Sequence, residues 1–205
     1  KETAYQLMKA GEEVKRDLEH AFVGLAQAAT AGDSSSNARL TASASSLVTN
    51  STNRWYMGAT TPLGGTTGTA AALSETALLG IGQAAYNVGA EPSVFMIKPA
   101  DSLIVAGFTG ASGRTRNFTD GPKTLVNVVD LYVSPFGEYK VVLIRFQKAD
   151  HAWLLDPGMW KAVWLRKWTR EPLAKTGDAS VNMIVGEVGL KHKNFAGDGL
   201  IANLT

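Results

Sequence analysis

Two stretches at opposite ends of this chain are too long for a compact globule of its size, and that mismatch limits what it can fold into. From Lys1 to Ala28 one helical repeat holds: Leu7, Gly11, Val14, Leu18, Ala21 and Leu25 share a stripe. Lys9, Glu12, Glu13, Arg16, Asp17, Glu19 and His20 lie largely off it. At about 1.5 Å per residue, a helix over the whole span runs roughly 42 Å. Near the other end, Ala179 to Asn194 reads as one extended strand of roughly 50 Å, at about 3.3 Å per residue. A globule of 205 residues has a radius of gyration of about 17 Å and is only roughly 43 Å across. The expectation is a flat or elongated molecule whose long elements are not covered by their own chain. Such a chain is a building block of a larger assembly before it is a self-contained enzyme.

Composition narrows the class. With 45% apolar residues the chain can form a real core, so disorder is not a contender. The formal charge of +2 comes from dispersed residues, without the basic stripe of a nucleic-acid reader. There are no cysteines, which excludes thiolate metal sites, cysteine nucleophiles and disulfides and suits a cytosolic folding environment. No apolar run reaches membrane-spanning length and no signal peptide opens the chain, so a soluble protein with no membrane partner is expected. Lys1 and Glu2 already sit in helical phase with no N-cap before them, so further residues are expected upstream.

Between the long elements, Ala29–Ser46 is an Ala/Ser/Gly/Thr stretch that reads as a loop or poorly ordered segment. Ala59–Ala72, with Gly64, Gly65 and Gly68, reads as a flexible loop, because no Gly-Lys-Ser/Thr follows to make it a phosphate cradle. Ser74 caps a helix that Gly89 ends. Val94–Ile97 is a short buried strand, and Pro99 opens a short helix through Ala106. Thr109–Lys123 is polar and glycine-rich and reads as a mobile loop presenting Arg114, Arg116 and Lys123. A β-meander is expected next: Leu125–Val133, Tyr139–Phe146, Ala152–Leu155 and Lys161–Arg166, with turns at Ser134–Gly137 and Asp156–Gly158. Pro172–Gly177 marks a boundary before the long strand. In that strand the apolar phase switches at Gly186-Glu187, which calls for a bulge, a twist or burial on both faces. Its partner strands are expected in sequence outside this chain or in neighbouring subunits.

The search for chemistry finds little. His20, His151 and His192 have no ligand spacing, so no metal or other cofactor is expected. Asp150-His151 with Ser134 suggests a triad, but neighbours on one strand point to opposite faces and cannot align. Trp153, Trp160, Trp164 and Trp168 suggest a sugar-stacking platform, although core packing of the meander is the better reading. Asn50, Asn117 and Asn203 open Asn-X-Ser/Thr triplets of the kind that arise by chance in a chain rich in these residues. The expectation is that the chain is not an enzyme.

Several stretches resemble one family together. Ala4-Tyr5-Gln6-Leu7 and Val14-Lys15-Arg16-Asp17-Leu18-Glu19 are similar to the spine helix of tailed-bacteriophage major capsid proteins. Val133-Ser134-Pro135-Phe136-Gly137-Glu138, Arg145-Phe146 and Leu173-Ala174-Lys175-Thr176-Gly177-Asp178 resemble that family's meander and domain junction. Glu187-Val188-Gly189-Leu190 and Asn194-Phe195-Ala196-Gly197 continue the match in the same order.

The resemblance implies an α+β chain with the shell fold of tailed phages and herpesviruses, the Hong Kong phage type. That fold has a long spine helix, an axial domain with a central β-sheet flanked by helices, and a long peripheral β-strand. Residues 1–50 and 172–205 would form the peripheral domain and 51–171 the axial domain, with the family's N-terminal arm and extended loop lying outside this chain. The implied function is a structural coat protein that self-assembles into the icosahedral head. Its copies would form hexamers and pentamers around packaged double-stranded DNA, bound without sequence specificity. Portal, scaffold or decoration proteins are further partners, and the location is the virion capsid, assembled in the host bacterial cytoplasm. Glu12, Arg16, Glu19, Arg114, Arg116 and Glu187 are the expected inter-subunit contacts. The alternatives are a nanocompartment shell of the same fold and a carbohydrate-binding β-domain.

Overall fold

The computed structural model describes residues 2–33, 37–49, 51–65, 68–108, 131–174, 177–178 and 181–205. In chain order the helices are α1 (Glu2–Glu19), α2 (Ala44–Leu47), α3 (Glu75–Asn87) and α4 (Asp101–Ala106). The strands are β1 (Arg54–Tyr56), β2 (Val94–Ile97), β3 (Leu131–Ser134), β4 (Gly137–Leu143), β5 (His151–Leu155), β6 (Trp160–Pro172), β7 (Asn182–His192) and β8 (Gly199–Ala202). They fall into two compact units, Lys1–Leu47 with Trp160–Lys193 and Val48–Met159 with Asn194–Thr205. The expected division was 1–50 with 172–205 against 51–171; the two units differ from it in that β6 goes with its partner β7, and Asn194–Thr205 goes with the six-stranded sheet through β8.

The second unit is built on a six-stranded mixed sheet of order β1-β8-β5-β2-β4-β3. Its central strands, β2 (VFMI), β5 (HAWLL) and β8 (GLIA), are almost wholly buried, the continuous apolar pattern of strands covered on both faces. On one face Leu78 and Ile81 of α3 join Phe95, Ile97, Tyr139, Leu154 and Ile201 in the core. Local chemistry sets the ends of α3. The Ser74 hydroxyl accepts from the Ala77 N–H at 3.2 Å. Beyond the other end, Gly89 takes φ +78, the Gly89 N–H donates to the Tyr86 carbonyl and the Ala90 N–H to that of Ala85, closing a Schellman turn.

The expected meander is only partly present. β3 and β4 form an antiparallel hairpin, but β2 stands between β4 and β5, parallel to the first and antiparallel to the second. The fourth expected strand, Lys161–Arg166, leaves this sheet altogether. Residues 109–130, with the expected loop and most of the first meander strand, lie outside the described residues.

The first unit corrects three expectations. The helix does not run to Ala28: after α1 a π-helical turn, His20–Gly24, leads into Leu25 in extended conformation. Here the carbonyls of Leu25 and Gln27 accept hydrogen bonds from Ser45 Oγ and the Ser43 N–H. The stretch read as a loose loop supplies those donors. Ala42, Ser43, Ala44 and Ser45 are buried and lead into α2, so its small side chains serve close packing.

The third correction concerns the long strand. β7 covers Asn182–His192, and its partner is β6 of the same chain, paired antiparallel from Trp160↔His192 to Pro172↔Asn182. Pro172, expected to open a boundary, instead ends β6, and the Leu173 N–H beyond it still donates to the Val181 carbonyl at 3.0 Å. The phase switch at Gly186-Glu187 coincides with two register shifts, between Trp164 and Arg166 and between Arg166 and Thr169. Each inserts one extra β6 residue and increases the local twist.

Candidate functional site

Histidine and carboxylate groups were the first candidates for chemistry. His151 opens β5 and is buried, with its ring edge-on to Trp153 at 5.9 Å. Burial lowers its pKa to about 4, against an opposing pull from Asp150, so it is neutral near pH 7. Asp150 lies in the turn before the strand and not on it, which brings its Oδ1 to 3.9 Å from His151 Nε2, beyond hydrogen-bond length. Burial would raise the Asp150 pKa, but the hydrogen bond from Lys148 at 2.7 Å and the nearby charges hold it below the ordinary value. Ser134 is three strands away in the sheet order, roughly 14 Å at about 4.8 Å per strand. Its hydroxyl donates to the Gly137 carbonyl at 2.9 Å. These residues do not assemble a triad.

His20 is exposed on its π-helical turn, while His192 is buried with its ring stacked on Trp160 at 4.2 Å. Among the described residues no group of three His, Asp or Glu side chains could hold a metal ion, and no helix is long and apolar enough to cross a membrane. Asn203 Nδ2 donates to the carbonyls of Met57 (2.9 Å) and Gly68 (2.8 Å), so that side chain clamps a loop. Asn50 and Asn117 lie outside the described residues.

The tryptophans do not form one cluster. Trp153 is fully buried in the six-stranded sheet, whereas Trp160, Trp164 and Trp168 stand on β6 in the other unit. Trp164 and Trp168 meet edge to face at 5.4 Å. Packing of the meander core therefore describes Trp153 alone.

What remains is surface, concentrated in the first unit. On α1, Leu7, Gly11, Val14 and Leu18 are half-buried while Glu12, Arg16 and Glu19 face outward, as the stripe predicts; Leu25, beyond the helix, is exposed. Val14 and Leu18 line a groove of about 1400 Å³ with Leu40, Trp164, Val188 and Leu190. The fourth expected contact residue is engaged within its own chain. Glu187 accepts from Arg166 Nη2 at 2.6 Å and lies 3.9 Å from Arg39 Nη1, and the Arg166 hydrogen bond holds its carboxyl below the usual range. Arg114 and Arg116 lie outside the described residues.

Sequence reasoning missed the exposed side of β6. Lys161 pairs with Lys191 and Val163 with Gly189, on one face of the hairpin, and Leu165 is the extra residue at the first register shift. The alternation Lys161-x-Val163 was the available signal, and it holds only as far as the first register shift.

The fold agrees with comparisons to known proteins. A family model described as SU10 major capsid protein matches residues 1–205. A curated major capsid protein of Escherichia phage Phieco32 is 30% identical over 118 residues, which is 57% of this chain and 34% of that protein. A chain from a solved satellite phage P4 procapsid, in a structure that includes the size determination (Sid) protein, aligns with a TM-score of 0.57 at 11% identity. The alignment covers 98% of this chain and 64% of that one, and at this identity it bears on the fold alone. The aligned part is thus about a third of the curated relative's length.

Proposed function

We propose, because the chain belongs to the SU10 major capsid protein family, that it is the shell-forming part of a phage head subunit with a Hong Kong phage-type arrangement. The observation that carries this is the family match across residues 1–205; the procapsid fold over 98% of the chain supports it. On this reading the unit with α1 and the β6–β7 hairpin is the peripheral domain, and the unit with the six-stranded sheet is the axial domain. Copies form hexamers and pentamers, and the resulting shell encloses double-stranded DNA without sequence specificity. Portal, scaffold or decoration proteins complete the head, which is assembled in the host bacterial cytoplasm.

The role is structural and non-catalytic. Each subunit touches several neighbours, so modest contact energies add through multivalency. Glu12, Arg16, Glu19 and Glu187 are assigned to inter-subunit contacts in the peripheral domain, and Arg114 and Arg116 to contacts near the capsomer axis. A nanocompartment shell and a carbohydrate-binding domain are not favoured: the family is one of capsid proteins, and the tryptophans needed for a sugar platform are divided between two units. The test is sedimentation of the whole natural protein expressed alone. Fast-sedimenting closed particles support the reading, and a species that stays monomeric across salt and concentration overturns it.

A further inference from the structure

We propose that the Lys161–Lys191 face of the β6–β7 hairpin is the docking surface for the outer stripe of α1 from a second copy of this chain. The inference rests on the coat-protein reading. Lys161 and Lys191 are direct cross-strand partners and both are exposed. Neither takes part in an ion pair among the described residues. Like charges directly opposite each other destabilise an antiparallel pair. An anionic group laid over this end of the hairpin relieves that repulsion.

The neighbouring side chains say what kind of anion fits. Next along the same face, Val163 stands opposite Gly189, where Thr41 Oγ1 of the same chain lies 3.8 Å from the place a Cβ would take, yet Val163 is still 46% exposed. Leu165, pushed out at the register shift, is 76% exposed. A nucleic-acid backbone gains little from an exposed valine and leucine. A protein surface that sets carboxylates beside apolar groups gains from both, through burial of apolar area and neutralisation of the lysines.

The chain presents such a surface on α1. At about 100° per residue, Tyr5, Met8, Glu12, Arg16 and Glu19 fall on one stripe opposite Leu7, Val14 and Leu18. Tyr5 is 55% and Met8 61% exposed, large apolar groups that the own chain leaves uncovered. Glu12 and Glu19 make no ion pair among the described residues. The net charges are opposite: α1 carries five acidic and three basic residues, while β6 and β7 together carry five Lys or Arg and two Glu. The stripe runs roughly 21 Å from Tyr5 to Glu19 along the helix, long enough to span the face from Lys161 past Val163 to the register shift at Leu165. Since the stripe and the lysine face are different surfaces, the contact is heterologous and repeats from copy to copy, the kind that closes into rings.

The test is a charge exchange in the whole natural protein, read as shell yield by sedimentation and negative-stain microscopy, with melting temperature as the folding control. Lys161→Glu with Lys191→Glu sets acid against acid, and Glu12→Lys with Glu19→Lys sets base against base. Each pair is expected to cut shell yield by about tenfold or more, since like charges across an interface cost several kcal/mol. All four together are expected to restore most of it. Should glutamate disturb the hairpin, Lys161→Gln with Lys191→Gln replaces it and is expected to lower yield with an unchanged or raised melting temperature. Normal shells from either pair, or no recovery in the fourfold variant, would overturn the inference and leave the coat reading standing. Shells that form normally but no longer retain DNA after the lysine change would also overturn it, making nucleic acid the partner of this face. If the unaltered protein never forms shells, both readings fall.

Discussion

The Trp168 ring occupies the space where a side chain on Gly186 would begin: a Cβ built on Gly186 meets Trp168 Cε3 at 2.3 Å. This contact sits beside the second register shift of the hairpin, where β6 carries its extra residue opposite β7. Gly186→Ala therefore has to displace the ring, which is 38% exposed and already borders solvent. The expected result is a red shift in tryptophan emission and a loss of about 1–3 kcal/mol, the usual cost of overpacking, in denaturant titration. An unchanged spectrum and stability would show that the ring does not rest on the glycine.

Gly199 makes the corresponding contact in the six-stranded sheet. A Cβ there lies 2.0 Å from Ile81 Cγ2, and Ile81 is almost fully buried between α3 and the strands. Unlike Trp168, which is partly exposed, Ile81 has no solvent to swing into. Gly199→Ala should cost at least about 1–3 kcal/mol, and Gly199→Ala with Ile81→Val should recover part of the loss. The melting temperatures of the single and double variants check this.

Acid should weaken the unit that contains His151. Its pKa is lowered from 6.5 to about 4 by burial, so between those values the unfolded chain binds a proton that the folded chain does not. Stability therefore rises with pH across this window, is fully present above about 6.5, and is lost progressively toward 4. The full effect is at most about 3 kcal/mol. Asp150, with a lowered pKa, adds a further loss as pH falls below its unfolded value of 3.8. Unfolding titrations between pH 4 and 7 on the parent and on His151→Gln check this, and the variant should show a flatter profile.

Arg114 and Arg116, assigned to contacts near the capsomer axis, give a cleaner separation of folding from assembly. Reversing both to Glu should leave the melting temperature nearly unchanged while altering particle yield or size. A large fall in melting temperature would place them in the fold instead.

How far the sequence could be read depended on whether the decisive interactions were local. The ends of α3 were legible because Ser74 and Gly89 act on their own helix through capping and turn geometry. β2 and β5 were legible as apolar runs, and the exposure of Glu12, Arg16 and Glu19 followed from a stripe of period 3.6. The end of α1 was not legible, because the donors to the carbonyls of Leu25 and Gln27 come from Ser43 and Ser45, some twenty residues on. The pairing of β6 with β7 was hidden for a similar reason. Pro172 reads as a stop, and nothing near Lys161 in sequence shows that Lys191 stands opposite it. The candidate surface was accordingly half visible: the helix stripe could be named, but the hairpin face needed the register.

The central claim, that this chain builds a phage head shell, is tested most directly by cryo-electron microscopy of the whole natural protein expressed alone. Closed icosahedral particles of uniform diameter are expected, with density for α1 and the β6–β7 hairpin repeated in every subunit of the shell. Monodisperse monomers, or open aggregates without icosahedral order under all conditions of salt and concentration, would contradict it.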